Sequence, residues 1–324
     1  MEKGVRIYGE LALVAGSGNP ELAQEISEAL DVPLHDVEIK TFANENIFVQ
    51  LRQTVRSKDV FIIQPTCFPV QYNVMELLIM IDTVKRASAG RITAVVPFYA
   101  YARSDKKDMP RVPISASLLA NMIDVAGADR FMTVDLHAPQ IQGFFDMPTD
   151  ELTAFRLIGE YFQRKEIPNL TVVAADLGFA KEARYFAERL DVPVAFVEKR
   201  RTGSQTESLT IIGDVEGRNV VLIDDEVNRG TTIVGGAKKL YEAGARNIYS
   251  CFVHPTFIPE TYDLLKEANF KEIVFTNTER IDRDNLLPNM KIIHLGDWLA
   301  AVIDAVHRGF SVGETLRKYE PKFD

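Results

Sequence analysis

Residues 220–240 read VVLIDDEVNRGTTIVGGAKKL. A fully apolar run, Val220 to Ile223, enters the paired carboxylates Asp224 and Asp225, and a Gly/Thr turn then opens a helix through Ala237 to Tyr241. A buried strand that passes directly into a helix is the repeating unit of a mainly parallel sheet, so this stretch points to an α/β fold. It also carries chemistry. Backbone N–H groups at the helix start, with the Thr231 and Thr232 hydroxyls beside them, form a cradle for a phosphate monoester. Adjacent carboxylates repel a phosphate but accept hydrogen bonds from the vicinal hydroxyls of a ribose, so a sugar phosphate suits both ends. The plainer alternative is that Asp224 and Asp225 only cap the following helix.

The same rhythm extends in both directions. Candidate strands are Leu11 to Ala15, Asp59 to Gln64, Ile92 to Pro97 and Arg130 to Asp135 in the first half. In the second half they are Leu170 to Ala175, Val194 to Glu198, Asn219 to Asp224, Asn247 to Val253 and Glu272 to Asn277. Arg91 to Phe98 and Arg130 to His137 resemble Asn219 to Glu226 and Asn247 to His254, which suggests two tandem copies of one fold. A helix is expected from Asn73 as N-cap, with Glu76 reaching back and Gly90 closing it. Its apolar residues Val74, Leu77, Leu78, Ile81 and Val84 keep to one face. The division is expected near Pro148 to Glu151, giving domains 1–149 and 150–324.

Composition sets the outer limits. The chain has 324 residues, with 37 Lys plus Arg against 46 Asp plus Glu, a formal charge of −9. That length suits about two domains, and the negative balance argues against a surface built to grip nucleic acid or an acidic membrane. The two cysteines, Cys67 and Cys251, form no CxxC, so neither a disulfide framework nor a thiolate zinc site is expected. The N-terminus carries Glu2, Lys3, Arg6 and Glu10 in place of a signal-peptide core, and no apolar stretch approaches the roughly 18 residues that span a bilayer. A cytoplasmic protein with no nucleic-acid or membrane partner is the expectation.

Other phosphate motifs are absent. Gly is never followed by Lys, which excludes a GxxxxGK[ST] loop, and the third glycine position after Gly16 and Gly18 is Glu21, which argues against a dinucleotide fingerprint. Basic residues gather elsewhere. In PFYAYARSDKKDMPRVPIS, residues 97–115, Arg103, Lys106, Lys107 and Arg111 suit a polyphosphate, with Phe98, Tyr99 and Tyr101 available to flank a base. A solvated charged face is the alternative. In TVDLHAPQIQGFFD, residues 133–146, Asp135, His137, Gln140 and Gln142 lie at a strand exit, where ligands of such sheets bind. The third element, FVEKRRTGSQTES at 196–208, ends a strand in Lys199, Arg200 and Arg201 before a polar tract. It reads as a lid over transferring phosphates or as an exposed hairpin.

Together these segments resemble the ribose-phosphate diphosphokinase family, the 5-phosphoribosyl 1-diphosphate (PRPP) synthetases. The likeness rests on NVMELLIMIDTVKRASAGRITAVVPFYAYARSDKKD, RVPISASLLANMI, AGADRFMTVDLHAPQIQGFFD, EKRR and VVLIDD. It implies two tandem phosphoribosyltransferase-like domains, each a mainly parallel sheet flanked by helices, with magnesium ATP and ribose 5-phosphate bound between them. It further implies transfer of the β,γ-diphosphoryl group to the C1 hydroxyl of the sugar, with AMP as product, and a homo-oligomer, hexameric by analogy.

By position, the resemblance assigns Phe42, Asn44, Arg103, Asp108 and His137 to ATP, and His137 and Asp176 to Mg²⁺. Lys199 and Arg201 correspond to the catalytic cations of the arm. Asp224, Asp225, Asn228, Arg229, Gly230, Thr231 and Thr232 correspond to the ribose 5-phosphate loop. That loop normally reads DDxxDTxGT, and Asn228, Arg229 and Thr231 depart from it. Asn46, Ser104 and Phe179 depart from the nucleotide and diphosphate patterns. Two alternatives remain at this stage: a non-catalytic, synthetase-like regulatory subunit, and a phosphoribosyltransferase that consumes PRPP.

Overall fold

The computed structural model describes residues 8–202, 206–321 and 323; the side chains of 199–202 and 206–208 lie outside the described set. Two compact units emerge. The first comprises residues 1–153, 278–280 and 294–320, and the second 154–277, 281–293 and 321–324.

The first unit is built on β1 (Leu11–Ala15), α1 (Pro20–Leu30), β2 (Val37–Thr41), β3 (Ile47–Leu51), β4 (Asp59–Ile63), α2 (Val70–Arg86), β5 (Arg91–Val96), α3 (Ser115–Ala126), β6 (Arg130–Val134) and β7 (Thr149–Leu152). Its sheet runs β1-β4-β5-β6-β7, parallel throughout. Ala12, Val14, Val60, Ile62, Ala94 and Val96 share one core cluster with Leu77, Met80, Ile81 and Val84 of α2. The opposite strand parity, including Leu13, Phe61 and Ile63, is equally buried. Both faces are therefore covered, which explains why the strands are continuously apolar instead of alternating. β2 and β3 form a separate antiparallel hairpin that packs on α2.

α2 corrects the expected capping. It begins at Val70, with Pro69 as N-cap, and ends at Arg86. Asn73 lies inside the first turn, where its amide donates to the Cys67 carbonyl at 2.9 Å and accepts from Gln64 Nε2 at 3.2 Å. Glu76 does not reach back along its helix. Its buried carboxylate accepts the Ser17 N–H at 2.6 Å and the Ser17 hydroxyl at 2.7 Å, fixing the turn after β1. Gly90 lies beyond the helix, where the chain passes so near Ser57 that a Cβ would stand 2.9 Å from its carbonyl oxygen.

The second unit contains α4 (Phe155–Arg164), β8 (Leu170–Ala174), α5 (Ala180–Leu190), β9 (Val194–Thr202), β10 (Thr206–Ile212), β11 (Asn219–Glu226), α6 (Thr231–Glu242), β12 (Asn247–His254), α7 (Pro259–Glu267), β13 (Glu272–Thr276) and β14 (Met290–Ile293). Its sheet runs β10-β9-β8-β11-β12-β13-β14, parallel except for the β9–β10 hairpin. The five strands β8-β11-β12-β13-β14 repeat the order of the first unit. α1 and α5 even end alike: each reads Leu-Asp-Val-Pro, with Asp31 at φ 53° and Asp191 at φ 54° in the left-handed region. The repetition holds, but the strand pairing read from sequence is shifted. By sheet position β4, not β5, is the counterpart of β11, and β5 matches β12.

The C-terminal helices α8 (Gly296–Arg308) and α9 (Val312–Lys318) return to the first unit. A single cut after residue 149 does not describe this packing, because α8 buries Trp298, Leu299, Val302 and Ile303 and packs on α1. A buried polar knot secures it. Asp59, fully buried, accepts from Arg91 Nε at 2.7 Å and Arg91 Nη2 at 2.6 Å, and His307 Nδ1 of α8 lies 2.8 Å from its Oδ2. Arg91 also donates to the Val306 carbonyl at 3.2 Å. Replacing His307 with Ala removes one partner of a buried carboxylate, at a cost of about 1–3 kcal/mol. The urea midpoint should fall accordingly with its slope unchanged; an unaltered midpoint would show the knot to be energetically idle.

Candidate active site

β11 remains buried through its carboxyl end, so it delivers Asp224 and Asp225 only 9% and 7% exposed. They do not cap α6, which starts later, at Thr231. The Asp225 N–H donates to Asp224 Oδ1 at 3.0 Å. Burial, then the neighbouring charges of Asp225 and, more weakly, Asp176, push the Asp224 carboxyl well above the ordinary carboxylate range. Asp176, at the exit of β8, accepts the Phe179 N–H at 3.1 Å, while the Phe179 ring packs on Phe155 with centroids 5.3 Å apart. The second unit thus gathers acceptors that a cation or a polyhydroxyl ligand would satisfy.

Beyond the carboxylates, Asn228 and Arg229 are exposed and Gly230 turns the chain at φ 80°, ψ −7°. The N-cap of α6, Gly230, supplies no side-chain cap, and a helix start of this kind favours an anion. Thr231 and Thr232 occupy the first turn. Thr231 has ordinary helical backbone, and the left-handed conformation falls on Gly230, so a Cβ at 231 is accommodated. Among the described residues Arg229 has no ion-pair partner.

The corresponding place in the first unit is filled from within. Ala15 pairs with Ile63 as Ala174 pairs with Ile223, so Gln64 stands where Asp224 does and Ser17 where Asp176 does. Gln64 Oε1 accepts the Gly18 N–H at 2.9 Å and Glu76 holds Ser17. Only the second unit keeps the carboxylates.

The first unit carries the basic elements. Arg103, Ser104, Lys106, Asp108, Val112 and Pro113 line a cavity of about 230 Å³ after β5. Among the described residues Lys106, Lys107 and Arg111 are exposed and have no ion-pair partner. Asp105, buried in this loop, accepts from Gln140 Nε2 at 2.8 Å, which draws the loop to the segment after β6 that carries exposed His137. Asp135, just before it, sits at φ 37°. Phe42 and Asn44 are exposed at the tip of the β2–β3 hairpin, Phe42 against Phe48 at 6.0 Å, and line no part of that cavity. Tyr99 does not flank a ligand. It is core, edge-on to Phe131 at 5.5 Å, with its hydroxyl donating to the Ala116 carbonyl at 2.8 Å; burial raises its pKa strongly. Tyr101 is exposed.

Lys199 and Arg201 lie in β9, opposite Leu209 and Glu207 of β10; their side chains lie outside the described residues. The segment expected as a lid or as an exposed hairpin pairs β9 with β10 antiparallel. Among the described residues no three His, Cys, Asp or Glu converge as a metal site, and no helix is long and apolar enough to cross a membrane. Asp105 and Thr261 brace the basic and acidic loops, and no motif in the sequence singles them out. Their signals were weak: one acidic residue inside a basic run, and one threonine two residues after Pro259.

Comparison with known proteins converges on one family. Residues 11–127 match the N-terminal domain of ribose phosphate pyrophosphokinase, and residues 199–317 the phosphoribosyl synthetase-associated domain. The chain is 42% identical over 311 residues to the ribose-phosphate pyrophosphokinase of Caldanaerobacter subterraneus subsp. tengcongensis, covering 95% of this chain and 98% of that one. It is 43% identical to the chloroplastic ribose-phosphate pyrophosphokinase 1 of Arabidopsis thaliana, covering 96% and 79%. The crystal structure of phosphoribosylpyrophosphate synthetase from Mycobacterium smegmatis matches with a TM-score of 0.89 and 39% identity, covering 93% of this chain and 100% of that one. With its two α/β units, its acidic strand end and likeness at this level along nearly its whole length, the chain belongs to the ribose-phosphate pyrophosphokinase family.

Proposed function

We propose that the chain is a ribose-phosphate diphosphokinase that transfers the β,γ-diphosphoryl group of ATP to the C1 hydroxyl of ribose 5-phosphate, giving PRPP and AMP. The observation that carries this reading is the run from Asp224 and Asp225 through Gly230 into the uncapped start of α6. The carboxylates accept hydrogen bonds from the ribose hydroxyls while the helix start, Thr231, Thr232 and the exposed Arg229 take the 5-phosphate. The first unit's Arg103, Asp108, His137 and hairpin residues Phe42 and Asn44 take the nucleotide. The sugar C1 oxygen bonds to the β-phosphorus as the bond from that phosphorus to the AMP oxygen breaks, and the hydroxyl proton is released. Alignment and charge stabilisation, to which Lys199 and Arg201 contribute, suffice without a covalent enzyme intermediate.

Mg²⁺ fits this donor set. A hard cation that keeps waters and substrate phosphates needs only one or two protein groups, and Asp176 offers a carboxylate oxygen beyond the one held by Phe179. Asp176 in the second unit, and by family analogy His137 in the first, would each hold Mg²⁺, which would offset phosphate charge during transfer. We assign the protein to the reducing cytoplasm on the strength of two free, buried cysteines, and to a homo-oligomer, six copies by family analogy, which light scattering tests.

Incubation with magnesium ATP and ribose 5-phosphate should yield AMP and PRPP in equal amounts. AMP only at the no-enzyme rate, across a range of magnesium and phosphate concentrations, would defeat the proposal. ATP binding without turnover would then favour a regulatory subunit, and consumption of PRPP with a nucleobase would favour a phosphoribosyltransferase.

A further inference from the structure

We infer that Thr261 is a positioning residue for the sugar-phosphate loop, acting through the Asn228 peptide; the inference rests on the functional reading above. α6 begins without a side-chain cap, and its N-cap, Gly230, holds a left-handed backbone that the loop must impose from elsewhere. The restraint comes from the next βα connection. The Val227 N–H donates to the His254 carbonyl at 3.0 Å, and Asn228 Nδ2 donates to the Thr256 carbonyl at 2.7 Å. Thr261 completes the set. It is fully buried in the first turn of α7, its hydroxyl donating to the Asn228 carbonyl at 2.5 Å and accepting the Ile258 N–H at 3.2 Å.

One hydroxyl therefore uses its single proton on the phosphate loop and a lone pair on its own helix start. The Asn228 carbonyl belongs to the same peptide plane as the Arg229 N–H, so holding that oxygen sets the direction in which Arg229 and Gly230 leave the strand. The Thr261 methyl supports the same turn: it lies 3.3 Å from where a Cβ on Gly230 would stand. Asn228 is exposed and Thr261 buried, so the brace joins the ligand surface to the core. A group in this position affects binding of the sugar phosphate and leaves the nucleotide groups of the first unit untouched.

The test compares Thr261→Val, which keeps the shape and removes the hydroxyl, with Thr261→Ser, which keeps the hydroxyl and removes the methyl. In Thr261→Val the KM for ribose 5-phosphate should rise about tenfold, or about 1.4 kcal/mol, the scale of one hydrogen bond. The KM for ATP should stay within about twofold and kcat at saturating sugar phosphate within about threefold. Thr261→Ser should restore the KM for ribose 5-phosphate to within about threefold of the parent. Calorimetric titration of each folded variant with ribose 5-phosphate should show the same order of affinities. A Thr261→Val protein that loses active fraction with both KM values unchanged would overturn the inference, as would Thr261→Ser behaving like Val. An inactive parent would defeat the functional reading alone, leaving the calorimetric comparison to judge the brace; a parent that binds no ribose 5-phosphate would end both.

Discussion

Replacing Lys199 with Ala should lower kcat by about 10³-fold while leaving the fold intact. The magnitude is that of losing one fixed positive group from a phosphoryl transfer, where charge stabilisation is the main contribution of the protein. Its position follows from register. β9 pairs with β8 only as far as Phe196 opposite Ala174, and beyond that point it pairs with β10 alone. Positions 195, 197, 199 and 201 share one strand parity. Ala195 and Val197 are buried in the core, and the same parity then changes to Lys199 and Arg201. The change occurs where the strand passes the carboxyl end of its neighbour, the edge at which ligands of parallel sheets bind. That placement is the basis for expecting Lys199 to act on a ligand. The circular-dichroism spectrum and melting temperature of Lys199→Ala should match the parent, and Lys199→Arg should recover part of the rate because it restores charge in a different shape. Parent-level turnover in Lys199→Ala would remove this residue from the mechanism.

Much of this architecture was legible because both units bury their strands on two faces. All nine expected strands exist, most within a residue of their expected ends, since an apolar β-branched run such as Val220 to Ile223 admits little else. Five strands are not evident in the sequence, for two physical reasons. β2, β3, β7 and β14 are all short and only partly buried; β3, β7 and β14 carry no clean alternation, β7 reading TDEL, and the alternation of β2, VEIKT, spans just five residues. β10 begins in the polar run TES, and what defines it as a strand is its backbone pairing with β9, which sequence does not display. The α2 cap failed differently. Asn73 and Glu76 have the right spacing for a capping box, but their bonds go to Cys67, Gln64 and Ser17 on other segments, which no local pattern reveals. Likewise the return of α8 to the first unit depends on Asp59 meeting Arg91 and His307 across distant parts of the chain. The acidic pair and the glycine turn were readable because strand, carboxylates and helix start are contiguous. The Asp105–Gln140 and Thr261–Asn228 braces were not, since each joins separate loops.

Asp224→Asn should make the protein more stable and much less active. Asp224 is a carboxylate buried beside Asp225 and within the field of Asp176, and its pKa is raised. A carboxyl whose folded pKa exceeds its unfolded value costs stability wherever it is ionised in the folded state; the penalty is present above the folded pKa and fades as pH falls through it. The amide avoids that penalty at neutral pH while its oxygen still accepts the Asp225 N–H bonded to Asp224 Oδ1. In magnesium-free buffer at neutral pH, without substrate, the melting temperature should rise by about 2–4 °C, the response to roughly 1 kcal/mol in a unit of this size. The difference between parent and variant should shrink on acidification, because the parent then protonates the same group. Activity should move the other way. Losing the charge-assisted hydrogen bonds to the ribose hydroxyls should reduce kcat/KM for ribose 5-phosphate by about 10²-fold. A variant less stable than the parent at neutral pH would mean that the charge is compensated within the fold. A more stable variant with full activity would separate the acidic pair from the sugar. Stability gained as activity is lost is the signature of a carboxylate kept under electrostatic strain for a ligand that relieves it.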